Sequence, residues 1–80
     1  MDDAAILVTL TALFREVFAD DGLVLTPATA AADVPGWDSM NHITVVVETE
    51  RRFGVKFRTT EIEEVKNVGD FIALIAKKTK

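Results

Sequence analysis

The sequence predicts an all-α fold, a small four-helix bundle with three main helices and a short third helix. Three observations predict it. Ile6, Leu10, Leu13, Phe14 and Val17 recur at helical spacing. Asp38 and Gly54 bracket a stretch that has a helix-starting residue at one end and a helix-ending residue at the other. The β-branched run Ile43-Thr44-Val45-Val46-Val47 favours a strand by propensity. Apart from the short Val55-Lys56-Phe57, however, the chain offers it no partner strand.

The first helix is expected near residues 3–20, with Leu7 and Phe18 flanking its apolar stripe. Asp2 and Asp3 favour its positive end, and Gly22 is its expected stop. Residues 22–37 carry Gly22, Pro27, Pro35 and Gly36 and read as a long loop. Thr26-Pro27 is expected to start a short helical turn through Ala30 and Ala31, and Leu23, Val24 and Leu25 are expected to tuck into the core. A loop of this length in a small domain is uncommon and is often functional. The second main helix runs from Asp38 to Phe53, with Met40, Ile43, Val46, Val47 and Phe53 on its core face; Val45 and Glu50 fit that face poorly. Thr60 followed by Glu63 resembles a capping box and predicts a short helix near residues 60–65. Asn67 followed by Asp70 opens the last helix, with Phe71, Ile72, Leu74 and Ile75 as its apolar face and Lys77, Lys78 and Lys80 near its negative end.

With 80 residues, 1–80 reads as one domain with a single thin core. A deep catalytic pocket would consume that core. The chain has no cysteine, which excludes disulfides, a thiolate nucleophile and cysteine-ligated metal. A net charge of −4 disfavours nucleic acid, whose phosphates are met by Lys and Arg, and suits partners with basic patches. No apolar run approaches the roughly 18 residues of a membrane span. Met1-Asp2-Asp3 lacks the basic start of a signal peptide, so a cytoplasmic protein is expected.

Pro35-Gly36-Trp37-Asp38-Ser39-Met40 ends the loop and opens the second main helix, which puts the Ser39 hydroxyl at a helix N-terminus. Asp and Ser are ordinary capping residues there. The same place also welcomes a phosphate, because free N–H groups and the helix dipole favour negative charge. Asp38, Ser39 and His42 invite a hydrolase reading, since residues three apart on a helix face one another. There is little material for an oxyanion hole or a substrate pocket, and no G-x-S-x-G elbow is present. His42 therefore reads as a solvent-facing residue, and no catalytic residue is assigned. Asp20-Asp21-Gly22 lacks the alternating ligands of a calcium loop, and no metal site is assigned.

From the first helix through the loop, then Gly36-Trp37-Asp38-Ser39-Met40, Phe53-Gly54-Val55 and Asn67-Val68-Gly69-Asp70-Phe71-Ile72, the chain resembles the acyl carrier and peptidyl carrier superfamily. That family's Asp-Ser-Leu attachment motif reads Asp38-Ser39-Met40 here, and Leu to Met keeps volume and apolarity. The resemblance implies a 4′-phosphopantetheine arm on Ser39, installed from coenzyme A with Mg²⁺ by a phosphopantetheinyl transferase. It implies thioester cargo presented to acyl- or aminoacyl-transferring and activating enzymes. Asp38, Met40 and Glu48 are the expected partner contacts, and a monomer is expected. Ile43, Val46, Val47, Phe53, Ile62 and Ile72 are candidate lining residues for a sheltered acyl chain. The helix after the motif departs from the dense acidic face of fatty-acid carriers: it reads Asn41, His42 and Thr44, and ends in Arg51 and Arg52. A discrete acyl carrier of a specialised lipid, polyketide or secondary-metabolite pathway is the expected function. A free-standing aminoacyl or peptidyl carrier is the alternative, and a cofactor-free helical interaction module is a more distant one.

Overall fold

A computed structural model of the chain describes residues 2–79. Four α-helices follow one another: α1 Asp3–Val17, α2 Ser39–Phe53, α3 Thr59–Glu63 and α4 Val68–Lys78, with one 3-10 turn at Ala31–Asp33 in the long loop. Among the described residues there is no strand, only an isolated bridge between Ala30 and Asn67. The expected all-α architecture is therefore present. α1 packs against both α2 and α4 and forms the spine of the bundle.

The core is built from the α1 stripe Ile6, Leu10, Leu13 and Phe14, together with Val45 and Val46 of α2 and Val68, Phe71, Ile72 and Ile75 of α4. Fully burying one of these side chains contributes about 1.5–3 kcal/mol before chain entropy is counted. Leu25, Val34 and Trp37 of the loop join the same core. The loop is thereby held down by its own apolar side chains.

The start of α1 follows its sequence signal, with the Asp2 carboxylate accepting from the Ala5 N–H at 2.8 Å. Its end does not. α1 stops at Val17, short of residue 20, and Ala19 rather than Gly22 takes the left-handed conformation, at φ 52°. The Ala19 N–H donates to Glu16 O at 3.4 Å and the Asp20 N–H to Arg15 O at 3.0 Å, the paired bonds of a Schellman close. Arg15 Nε then reaches Leu23 O at 2.8 Å and ties the departing loop to the helix.

In the loop, the helical turn falls later than expected, after the Ala30–Asn67 bridge rather than leading into it. Leu25 is buried and Leu23 half-buried, but Val24 points to solvent. α3 also begins earlier than the Thr60–Glu63 signal. Glu61 Oε1, not Glu63, accepts the free N–H at the helix start, from Arg58 at 2.8 Å. The same carboxylate meets Lys78 Nζ of α4 at 2.9 Å. The Lys78 ammonium and the Arg58 N–H hold the Glu61 carboxyl below the usual carboxylate range.

The largest correction concerns α2. Its helix is as expected, but its rotation differs. Val45 and Thr49 are fully buried, whereas Met40, Ile43 and Val47 are 80%, 64% and 47% exposed. Met40, Ile43 and Val47 do form one stripe, but it faces away from the bundle. Thr49 enters the core because its Oγ1 donates to Val45 O at 2.7 Å, which satisfies the hydroxyl within the helix. Of the expected lining residues, Val46 and Ile72 are buried, Phe53 and Ile62 are half-buried, and Ile43 and Val47 are on the surface.

Candidate functional site

The site begins with a turn. Val34-Pro35-Gly36-Trp37 closes through the Trp37 N–H donating to Val34 O at 3.1 Å, with Gly36 at φ 88°. Pro in the second place and a positive φ in the third define a type II turn, and only glycine accepts that third position without strain. The turn delivers Trp37 into the core and Asp38 to the start of α2. Trp37 is buried edge-on against Phe14, with ring centroids 5.0 Å apart. The Asn41 side-chain amide donates back to Gly36 O and locks the turn to the first turn of the helix.

Asp38 is the N-cap of α2. Its Oδ1 accepts from the Met40 N–H at 3.1 Å and the Asn41 N–H at 2.9 Å. Ser39 is the first residue of the helix, and its side chain is exposed. Beside it lies an open cleft of about 290 Å³, lined by Ala31, Trp37, Asp38, Ser39, His42 and Val65. The loop, the α2 N-terminus and the segment after α3 each supply part of the wall.

His42 differs from its expectation. It is half-buried rather than solvent-facing, and Trp37 Nε1–H donates to its Nδ1 at 3.0 Å. The pairing follows from ordinary satisfaction: a buried indole N–H needs an acceptor, and the imidazole one turn into α2 is within reach. It also bears on hydrolase chemistry. A general base needs a free lone pair, and the lone pair of the neutral imidazole is engaged by the indole.

Asp38, Ser39 and Met40 thus lie together at the start of α2, while Glu48 lies two turns further along. Glu48 pairs with Arg51 at 3.1 Å, and Arg52 pairs with Glu16 of α1. Glu50 accepts from the Phe57 N–H at 2.9 Å and pins the loop after α2. Several charges of this helix are therefore met within the molecule. The surface residues missed from sequence are Ile43 and Val47, which extend the exposed apolar stripe that Met40 starts. Val45, which fits the expected face poorly, proves to lie on the true core face.

Residues 8–75 match the family model described as the phosphopantetheine attachment site. An acyl carrier protein of Acidothermus cellulolyticus is 32% identical over 92% of this chain and 88% of its own length. A meromycolate extension acyl carrier protein of Mycolicibacterium aurum is 29% identical over 90% of this chain and 74% of its own length. The solution structure of a holo acyl carrier protein from Geobacter metallireducens superposes with a TM-score of 0.84 at 44% identity, covering 90% of this chain and 83% of that one. A helical bundle with this cap, this serine and these relatives belongs to the acyl carrier proteins, the family that bears a covalent 4′-phosphopantetheine.

Proposed function

We propose that Ser39 carries the phosphopantetheine arm and that the chain, as a single carrier domain over residues 1–80, presents acyl thioesters to the enzymes of a specialised lipid pathway. The observation that carries the reading is the exposed Ser39 hydroxyl at the first position of α2, beside an open cleft, in a chain whose residues 8–75 match the attachment-site family. The residues fit the group. The hydroxyl is exposed, and the cleft leaves room beside it for the attached group. Ser39 is the nucleophile only while it is being modified: its Oγ bonds to phosphorus, its proton leaves, and the nucleotide half of coenzyme A departs. When bound, the arm supplies a terminal thiol, which a chain without cysteine otherwise lacks.

Asp38 holds the helix start in register, so that Ser39 meets a phosphopantetheinyl transferase in one orientation. The Met40, Ile43 and Val47 stripe is the surface that partner enzymes contact, with Asp38 at its edge and the Glu48–Arg51 pair beside it. A lipid cargo is favoured over an aminoacyl cargo because relatives named for meromycolate extension are among those the chain resembles. The working form is a cytoplasmic monomer.

The test is intact-protein mass spectrometry after incubation with coenzyme A, Mg²⁺ and a broad-specificity phosphopantetheinyl transferase. One phosphopantetheine increment on the wild type and none on Ser39→Ala is expected. A folded wild type that stays unmodified with several transferases rules the reading out.

A further inference from the structure

We propose that His42 donates its Nε2–H to the phosphodiester on Ser39 and that Trp37 is the positioning residue that readies the imidazole to do so; this rests on the attachment at Ser39 proposed above.

The chemistry of the pair sets the tautomer. An indole nitrogen donates and cannot accept. Trp37 Nε1 lies 3.0 Å from His42 Nδ1, so Nδ1 must offer a lone pair and the proton of the neutral ring sits on Nε2. Trp37 is itself held by the core and by its edge-on contact with Phe14. The ring is thus anchored at one nitrogen by a buried group and presents an N–H at the other. Among the described residues Nε2 has no hydrogen-bond partner, and because none of their buried side-chain nitrogens lacks one, Nε2 is open to solvent.

The placement of the pair supplies the target. His42 lies three residues beyond Ser39 on α2, so the two side chains share a face, and both line the same cleft. An anion on Ser39 needs donors, and most of those nearby are taken. The Met40 and Asn41 N–H groups are bound to Asp38 Oδ1, and the Asp38 carboxylate itself repels a phosphodiester. The cleft walls contain no lysine or arginine. Ala31 and Val65 have no polar side-chain atom, and the Trp37 N–H is taken by His42. By elimination, Nε2–H of His42 is the side-chain donor left to the attached phosphate.

The experiment compares apo and holo wild type in mildly alkaline buffer, with modification verified by intact mass. Long-range ¹H–¹⁵N spectra read the His42 ring, and ³¹P spectra read the diester. In the apo protein His42 is expected as the Nε2–H tautomer; in the holo protein the Nε2–H proton moves downfield while Nδ1 keeps its indole partner. The ³¹P resonance of holo His42→Phe is expected to shift from that of the holo wild type. Trp37→Phe is expected to give a mixture of tautomers. A holo wild type whose ring signals match those of the apo form overturns the inference and leaves attachment at Ser39 standing. Absence of the mass increment on a folded wild type overturns both. The wild-type comparison needs no variant to fold.

Discussion

The Gly69 N–H donates to Pro27 O at 2.8 Å, and a methyl group placed on Gly69 would lie 2.8 Å from that same oxygen. Loop and helix approach so closely here that only a residue without a side chain fits. Gly69→Ala gains up to about 1 kcal/mol of helix propensity, but forcing the backbones apart costs about 1–3 kcal/mol and weakens the hydrogen bond. A lower urea midpoint is expected for the variant. A raised midpoint would show that the loop yields without loss.

Ala19 takes a conformation that residues other than Gly, Asn and Asp seldom adopt, at a cost of about 1–2 kcal/mol. Glycine avoids that penalty while losing some chain entropy in the unfolded state. Ala19→Gly is expected to stabilise the protein by about 0.5–1 kcal/mol, read from chemical denaturation. An unchanged or lower stability would mean that the Schellman close tolerates alanine at no cost.

The rotation of α2 is checked by a pair of substitutions. Val45→Ala removes buried methyl groups and leaves a cavity, so a loss on the order of 2 kcal/mol is expected. Val47→Ser changes an exposed position and should stay within about 0.5 kcal/mol. If the stripe is the partner surface, Val47→Ser will raise the KM of a partner enzyme for the holo protein while the melting curve stays in place. Equal destabilisation by both variants would return Val47 to the core.

Glu61 links α3 to α4 through Lys78. Its carboxyl is held low in the folded protein, so its contribution to stability is present above the usual carboxylate range and is lost as pH falls through the folded-state value. Glu61→Gln should therefore lower the urea midpoint at neutral pH, and the gap from wild type should close in acid. A gap that is constant across that range would argue against the ion pair as its source.

The helices were legible wherever a cap and a periodic face agreed. Asp2, Asp38 and Asn67 each cap the helix that the sequence assigned to them. The rotation of α2 was not legible, because five consecutive positions from 43 to 47 include four β-branched apolar residues and a threonine, which satisfy two helical faces almost equally. The choice is made by α1 and by Thr49, whose hydroxyl is satisfied by its own helix and so enters the core without penalty. The stop at Ala19 was equally hidden, since an alanine in the left-handed region contradicts its own preference. At the site, the position of Ser39 at the start of α2 could be read from its neighbours in sequence. The Trp37–His42 contact could not, because it depends on how a turn and a helix meet in space.

The bridge between Ala30 and Asn67, with the Val68 and Gly69 N–H groups donating to Thr29 O and Pro27 O, stitches the loop to the start of α4 through main-chain atoms. Ala31 and Val65, which both line the cleft beside Ser39, sit within two residues of that stitch. The walls to which Ala31 and Val65 belong are thus joined by peptide groups rather than by the side chains that line the cleft.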